Sequence, residues 1–251
     1  MKQKDRLLNL ILPITVFVGI ILTWGVASLV IDNEYILPSV SQTLKEVALL
    51  FGEVSFYRAL FSTLFRSLIA FIISFALAGV LVILSVKAKY IEKVISPIIR
   101  VMRALPTIAV VLLLLFWTNS KVAPVIVTLL VVLPTTYTHL KDAFWGLDKT
   151  VSEAGRVDGA GEFAVLTRIE IPQIMASIYS AIGSGISLNF KLMVAAEVLS
   201  QTANSIGFML NTSKVYFEIS KMLAIVVVTV IFGVIIERVF DKLSKKANSW
   251  K

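Results

Sequence analysis

The sequence predicts an all-α protein that crosses a membrane through six helices. Hydrophobic residues make up 57% of the chain and charged residues only 16%, and the mean hydropathy is +0.88. This composition lies outside the range of soluble domains. Apolar blocks long enough to cross a bilayer, which needs roughly 20 residues, recur along the whole chain. They cover residues 8–31, 60–86, 96–117, 122–140, 174–199 and 219–240 and predict a single transmembrane domain over residues 1–251.

The distribution of Lys and Arg predicts that both termini lie in the cytoplasm, because positive residues next to helix ends stay on that side. The segments that carry this excess are the two termini and the loops after the second and fourth blocks: Lys2, Lys4, Arg6, Lys87, Lys89, Lys93, Lys141, Lys149, Arg156, Arg168, Arg238, Lys242, Lys245, Lys246 and Lys251. This asymmetry accounts for the net charge of +8. The excess of positive residues is therefore explained by the lipid bilayer, and no nucleic-acid partner is expected.

The numbers of Cys and His residues exclude some kinds of functional site and argue against others. The absence of cysteine excludes disulfides, thiolate metal sites and a Cys nucleophile. His139 is the only histidine, no other metal-binding side chain stands at ligand spacing beside it, and we interpret it as a boundary residue. No metal site and no catalytic residue are predicted. The phosphate-binding pattern GxxxxGK[ST] is also missing, so this chain has no loop of its own for ATP.

The segments between the first spans and after the fifth are predicted to be short helices outside the membrane. Val40, Leu44 and Val47 recur at helical spacing and indicate an amphipathic helix on the outer face. Residues 201–217 are polar and are expected to form another short helix or a re-entrant piece. Arg66 interrupts the second span, and such a residue either reaches towards the interface or lies in the protein interior.

The third span is predicted to be kinked or partly broken, because Pro97 and Pro106 each lack a backbone N–H. The apolar run after Arg103 is about 14 residues, or roughly 21 Å of helix, which is short of the hydrocarbon thickness. Arg100 and Arg103 are therefore expected at the cytoplasmic boundary or along a wet cavity. Boundary positions are the favoured interpretation, and direct contact with an anionic solute is the alternative.

The fifth span carries most of the polar residues that fall inside a predicted membrane helix. Its small residues permit close helix packing, and Ser187, Asn189, Lys191 and Glu197 are candidates for a translocation path. An ionisable group inside a membrane indicates either a pathway or a pairing partner. Lys191 fits both interpretations equally, whereas Glu197 fits a structural role better. The two residues are six apart and face different sides of a straight helix, so each needs another partner.

The polar segment 148–172 between the fourth and fifth spans is predicted to form two short helices with a break. Thr150 and Glu153 have the spacing of a capping box, which starts a helix near residue 151. Gly159 is expected to end that helix in a left-handed conformation. A second helix is predicted over residues 162–169, and Pro172 fits the first turn of the fifth span.

The same segment resembles the cytoplasmic coupling loop of ABC-transporter permeases. The family pattern runs Glu-Ala-Ala, three residues, Gly, nine residues, Ile, one residue, Leu-Pro. The matching positions and their neighbours in the loop are Glu153, Ala154, Gly155, Asp158, Gly159, Ala160, Ile169, Ile171 and Pro172. Gly155 replaces the second Ala of the pattern and should loosen the first helix by up to about 1 kcal/mol, and Ile171 replaces Leu.

Two further groups resemble the nitrate, sulfonate and taurine importer subfamily, namely Pro97, Arg103, Leu105 and Pro106, and Lys191 with Ala195, Ala196 and Glu197. The resemblance implies a type I importer permease in a bacterial-type inner or plasma membrane, working by alternating access. The implied solute is small and anionic or organic: a sulfonate, nitrate, taurine-like compound or vitamin precursor.

The resemblance also implies the partners of the chain. These are two cytoplasmic ATPase subunits that dock on the coupling loops, a second permease copy in a homodimer, and an extracytoplasmic solute-binding protein. ATP and Mg would be bound by the ATPases, so this chain carries no cofactor and is not an enzyme. The competing interpretations are an ion-coupled secondary transporter that uses Lys191 and Glu197, and a membrane-embedded enzyme. The enzyme interpretation is poor because the chain has one His and no Cys.

Overall fold

The computed structural model of the chain describes residues 2–248, with side chains for residue 12 and residues 14–246. Over that range the chain consists of helices and connecting loops without a β-strand, which confirms the all-α prediction. The side chains of Lys2, Lys4 and Arg6, and the whole of Lys251, lie outside the described residues. Their part in the charge argument therefore stays a prediction, as does the single domain over residues 1–251.

Eleven α-helices and one π-helical turn follow one another along the described chain. They are α1 (Lys2–Ile31), α2 (Val40–Leu50), α3 (Val54–Lys87), α4 (Lys89–Ala104), α5 (Thr107–Trp117), α6 (Ala123–Trp145), α7 (Lys149–Val157), α8 (Glu162–Val165), the π turn (Leu166–Glu170), α9 (Ile171–Ser200), α10 (Ile206–Val215) and α11 (Ile219–Asn248).

Within residues 2–248, five helices are long and apolar enough to cross a membrane, and a sixth crossing is counted if α4 and α5 form one bent span. The five are α1, α3, α6, the continuous run Glu162–Ser200 and α11. The predicted kink of the third span is confirmed, since α4 and α5 meet at 94°. The bent pair begins at Lys89, seven residues before the predicted start at residue 96, and ends at Trp117 as predicted.

The bend of the third span falls at Pro106 and not at Pro97. Pro97 lies inside α4, which continues through it. Leu105 has φ −66° and ψ 128°, the extended conformation that a following proline favours. The steric effect of Pro106 on the preceding residue therefore ends α4.

One compact unit consists of Met1–Tyr57 and Met209–Val228. Ser39 and Gln42 form a capping box at the start of α2, which confirms the amphipathic helix predicted there. Trp24 Nε1 donates to the carbonyl of Pro38 at 3.0 Å and fastens α1 to the start of that helix. Lys221 Nζ lies 2.9 Å from Glu53 Oε1. The hydrogen bond from Lys221 holds the pKa of the Glu53 carboxyl below its ordinary value.

The other compact unit consists of Arg58–Phe208 and Thr229–Lys251, with α6 packed along α9 at its centre. Its larger apolar cluster joins Ala78 and Val82 of α3 to Leu133 and Tyr137 of α6. The Tyr137 hydroxyl lies 3.0 Å from Ser85 Oγ, so this cluster also holds a buried polar contact between α3 and α6. A rigid scaffold of this kind positions the segment between α6 and α9.

Candidate functional site

The segment 148–172, called the coupling segment below, begins with α7. The helix is capped by Asp148, whose Oδ1 accepts a hydrogen bond from the N–H of Thr150 at 3.0 Å. Hydrogen bonding by Thr150, first from its side chain and then from its backbone N–H, lowers the pKa of the Asp148 carboxyl below its ordinary value. The predicted capping box of Thr150 and Glu153 is therefore wrong. Asp148 is the N-cap residue, and Thr150 lies inside the helix. An aspartate is as good a cap as threonine, and it stands two residues earlier.

The end of α7 confirms the role predicted for Gly159. Gly159 has φ +85°, a conformation that L side chains avoid. Its N–H donates to the carbonyl of Arg156 at 3.1 Å, and the N–H of Ala160 donates to the carbonyl of Gly155 at 3.0 Å. These two bonds form a Schellman motif, which satisfies the last carbonyls of the helix and turns the chain sharply.

Helix α8 begins at Glu162, where the second short helix was predicted, but it continues into α9 and does not end at Ile169. Residues Glu162–Ser200 form one helical run of 39 residues, with the π turn between α8 and α9. Pro172 lies in the first turn of α9, as predicted. Because proline has no N–H and crowds the carbonyl four residues back, the wider π turn before it lets the helix continue. The N–H of Ile171 accordingly donates to the carbonyl of Leu166, five residues earlier.

Gly155 allows α7 to lie close against the π turn. An ideal Cβ at residue 155 would be 2.5 Å from Ile169 Cδ1 and 3.9 Å from Val165 Cγ2. Where the family pattern has Ala, this chain has Gly155, and the missing Cβ leaves room for Ile169 Cδ1. Ile171, the other departure, packs against the apolar cluster of α3, α6 and α9.

Arg156 fixes α7 to the run that follows it. Its guanidinium lies 3.5 Å from Glu162 Oε1 and 3.6 Å from Glu170 Oε1. Glu170 is mostly buried, whereas Glu162 is exposed, so solvent screens the Arg156–Glu170 pair less than the Arg156–Glu162 pair. A cavity of about 320 Å³ lies beside these residues and is also lined by Glu153 and Lys149.

The outer face of the coupling segment is apolar although the segment as a whole is polar. Val157 is 87% exposed and Phe163 is 77% exposed, and Val151 is also exposed. Ser152 on the opposite side of α7 is buried. Glu153, Ala154 and Asp158 are exposed beside this face, and Ala160 is half-buried. An exposed apolar surface rimmed by charges is typical of a docking site for another protein.

Most of the predicted translocation-path residues on α9 are buried between helices. Ser187 Oγ donates to the carbonyl of Gly233 on α11 at 3.4 Å, and Asn189 Nδ2 donates to Ser67 Oγ on α3 at 2.6 Å. The small residues allow this packing, as expected. A Cβ at Gly183 would lie 2.5 Å from Phe240 Cβ, and one at Gly185 would lie 2.7 Å from Phe71 Cε2.

Glu197 has a partner that the sequence interpretation left open. Its side chain is 0% exposed, and Oε1 accepts hydrogen bonds from Arg66 Nη2 at 2.6 Å and Nε at 2.9 Å. Thr63 donates to Oε2 at 2.8 Å. Arg66 therefore lies in the protein interior, and a charge-assisted pair in which Glu197 Oε1 accepts two hydrogen bonds joins α3 to α9.

Lys191 lies on a different, exposed side of α9. Its Cε lies 3.4 Å from where a Cβ of Gly233 would stand, and within the described range no carboxylate is at ion-pair distance from its Nζ. Ser177, Ser180 and Ser184 share the helix face of Lys191, because their spacing follows helical turns.

The three serines line an open groove of about 440 Å³ together with His139 and Asp142 of α6. The sequence interpretation missed this groove. The helical spacing of the serines and Lys191 was the signal that could have indicated it. Arg100 and Arg103 are exposed on α4, on another element, so the structure does not bring the six predicted path residues into one site.

Comparison with known proteins gives a family for this arrangement of helices. Residues 76–249 match the family described as "Binding-protein-dependent transport system inner membrane component". Among curated relatives, the putative aliphatic sulfonates transport permease protein SsuC of Bacillus subtilis is 21% identical, with 100% of this chain and 90% of that protein covered. The taurine transport system permease protein TauC of Escherichia coli is 23% identical, with 90% and 84% covered.

A further relative is much longer than this chain. The trimethylamine N-oxide transport system permease protein TmoV of Pelagibacter ubique is 28% identical over 65% of this chain, and the match spans only 24% of its own length.

Among solved structures, a chain from an inward-facing crystal form of the MetNI methionine ABC transporter has a TM-score of 0.68 at 14% identity. That alignment covers 76% of this chain and 95% of the other, and it shows a shared fold.

Proposed function

Because the chain belongs to the family of binding-protein-dependent transport system inner membrane components, we propose that it is the permease subunit of an importer driven by ATP hydrolysis on a separate protein. The family and the apolar helices make it a multi-pass protein of the cell membrane. The observation that supports the coupling step is the coupling segment, a capped and braced helix that turns an apolar face outward.

In this proposal two cytoplasmic ATPase subunits dock on the coupling segments of two permease copies, and ATP and Mg are bound by those subunits. Val157 and Phe163 enter a groove on the ATPase, while Arg156 and Gly155 hold α7 against the run Glu162–Ser200. Closure of the ATPase pair draws the coupling segments together and tilts the spans between inward-facing and outward-facing states. An extracytoplasmic binding protein delivers the solute, and both termini of this chain lie in the cytoplasm.

The serine-lined groove and Lys191 form the solute path in the same proposal. A polar helix face is unfavourable against lipid, so it is expected to meet water or another protein. Hydroxyl groups and an ammonium group donate hydrogen bonds and suit solutes with strong acceptor oxygens. The relatives named for sulfonates, taurine and trimethylamine N-oxide share that chemistry, and we propose a small solute of this class.

The alternative of an ion-coupled transporter receives less support. It requires Lys191 and Glu197 to exchange ions, but Glu197 is enclosed by Arg66 and Thr63, whereas Lys191 faces outward.

The coupling proposal is tested with Gly159→Pro and Glu153→Lys in the permease–ATPase complex reconstituted in vesicles. Proline cannot adopt the positive φ of residue 159, and Glu153→Lys reverses a charge beside the apolar face. We expect both variants to insert normally and to hydrolyse ATP without solute uptake. The probe solutes are taurine and an alkanesulfonate, and uptake is compared with ATP hydrolysis in the same vesicles.

Two matched controls separate docking from misfolding. Gly161→Pro places proline where φ is −67° and a side chain meets no neighbour within 4 Å. Asp241→Lys reverses an exposed charge near the end of α11. Both controls should remain coupled. Wild-type uptake by Gly159→Pro or Glu153→Lys would contradict the role of the segment, and so would labelling of residues 150–172 from the cell exterior.

A further inference from the structure

Helix α4 presents one buried face and two exposed faces. Ile95 and Met102 pack against the apolar cluster of α3, α6 and α9, in which Ile99 is buried. Glu92 lies 2.6 Å from Lys141 of α6, which fixes the helix by an ion pair next to the apolar contacts. Helix α4 is therefore held at one rotation about its axis, and the remaining two faces point away from the protein.

One of the exposed faces is apolar. It consists of side chains three or four residues apart, which stand above one another on a helix. They are Tyr90, Val94, Ile98, Val101 and Leu105, all of them exposed. These side chains are between 41% and 71% exposed, so much of the stripe is left uncovered by the chain itself, and the surroundings that suit it are apolar.

The other exposed face is cationic and runs parallel to the apolar one. Lys89, Lys93, Arg100 and Arg103 stand at intervals of four, seven and three residues, and all four are exposed. No carboxylate in residues 14–246 forms an ion pair with any of them. The four cations are therefore available to anions from outside the chain.

The bend between α4 and α5 fixes how this helix lies in the membrane. Helix α5 has 11 residues without a charge, which is about 16 Å of helix, and it forms the part of the bent span that lies in the hydrocarbon region. Helix α4 meets it at 94°. A basic residue at the bilayer centre costs about 2.5–3.5 kcal/mol on insertion scales, so four of them exclude α4 from a transmembrane position. If α5 stands along the membrane normal, α4 lies along the membrane surface.

We propose that α4 is an interfacial helix that binds the headgroups of anionic phospholipids. The apolar stripe enters the boundary between headgroups and acyl chains, and the cationic stripe contacts the phosphates beside it. Tyr90 stands at the level where aromatic side chains are enriched in membrane proteins. The choice of the cytoplasmic leaflet rests on the orientation proposed above, whereas the lipid binding itself rests on α4 alone.

The first test measures phosphatidylglycerol binding to the purified full chain by native mass spectrometry, with phosphatidylcholine as the neutral comparison. Each basic residue near an anionic surface contributes about 1 kcal/mol, so Lys89→Gln with Lys93→Gln should weaken binding by roughly 25-fold. The matched control, Lys45→Gln with Lys214→Gln, removes the same charge from exposed positions on α2 and α10 and should change binding less than about twofold, since these lysines belong to no cationic stripe. Equal losses in the two pairs, or no loss in either, would overturn the site.

The second test leaves the cationic stripe intact. The chain has no cysteine, so Val94→Cys and Val101→Cys give single labelling sites without further changes. Fluorophores at these positions in vesicles should be quenched by lipids spin-labelled near the headgroup. Absence of quenching, together with cross-linking of Val94→Cys between two copies, would show that a second chain covers the stripe and would overturn the proposal. Quenching confined to the external leaflet would contradict the proposed orientation and leave lipid binding intact.

Discussion

The coupling segment exposes apolar side chains, whereas the contact between α3 and α9 buries a charged one. In the coupling segment, Val157 and Phe163 are exposed while Ser152 is buried. In the α3–α9 contact, a carboxylate is fully buried and receives an arginine and a threonine from its own chain. Glu197 thus has its partners inside the chain, whereas the apolar face of α7 has none among the described residues and is open to the ATPase proposed above.

The largest effect on stability is expected from breaking the ion pair of Arg66 and Glu197. Glu197→Ala leaves Arg66 without its partner in a mostly buried position, which should cost about 3–5 kcal/mol. The double variant Arg66→Met with Glu197→Gln keeps an acceptor for Thr63 and should recover much of that loss. Thermal unfolding in detergent measures both, with the exposed Glu153→Ala as a control without effect. Equal melting temperatures for the single and double variants would contradict an internal partnership.

The next effect concerns the ATPase proposed to bind α7. Fully burying an apolar side chain contributes about 1.5–3 kcal/mol, so Phe163→Ala should weaken ATPase binding by about tenfold or more. The chain's own melting temperature should not change, because Phe163 is exposed. Binding of the ATPase subunit to the chain in nanodiscs measures the loss. The control is Phe116→Ala, which removes an equally exposed ring from α5; a similar loss there would show that Phe163 has no special role.

A smaller effect is expected at Gly155, where helix propensity and packing oppose each other. Alanine favours a helix by about 1 kcal/mol over glycine, but its Cβ would displace Ile169 Cδ1. Gly155→Ala alone should therefore leave amide exchange in α7 nearly unchanged, whereas Gly155→Ala with Ile169→Val should slow it. Hydrogen exchange read by mass spectrometry resolves the two variants. Gly161→Ala, at an open position, is the control, and additive single effects at 155 and 169 would argue against the contact.

The smallest effect is expected from the partly exposed pair of Glu53 and Lys221, which should contribute at most about 1 kcal/mol. The pKa of Glu53 is lowered in the folded chain, so the pair's contribution is present above the ordinary carboxyl range and is lost as the pH falls through the lowered pKa. Melting temperatures between neutral and acidic pH should fall slightly more for the native chain than for Glu53→Gln. The control Glu46→Gln should follow the native chain, and identical slopes for all three would refute the contribution.

Features that depend on local backbone chemistry could be predicted from the sequence. The left-handed Gly159, the break at Pro106 and the amphipathic α2 follow from what glycine, proline and helical spacing impose on a few neighbouring residues. The cap of α7 could not be decided in this way, because Asp148 and Thr150 are both good caps and stand two residues apart. The π turn was also missed, since it depends on Pro172 and on the packing of Ile169 and Ile171 together.

Contacts between residues far apart in the chain could not be predicted from the sequence. Arg66 and Glu197 are separated by 131 positions, and nothing local indicates that one neutralises the other. One wall of the groove could have been predicted, because the spacing of Ser177, Ser180 and Ser184 places them on one helix face. Its second wall, from His139 and Asp142, depends on how α6 and α9 pack.

The uninterrupted run Glu162–Ser200 has a mechanical consequence. At 1.5 Å per residue its 39 residues form a lever about 58 Å long. A rotation of about 5° at the end next to α7 would move the opposite end, where Glu197 lies, by about 5 Å. The wider turn before Pro172 lies near the α7 end of this lever, so in the coupling mechanism proposed above its stiffness would set what share of a push on α7 reaches the end at Glu197.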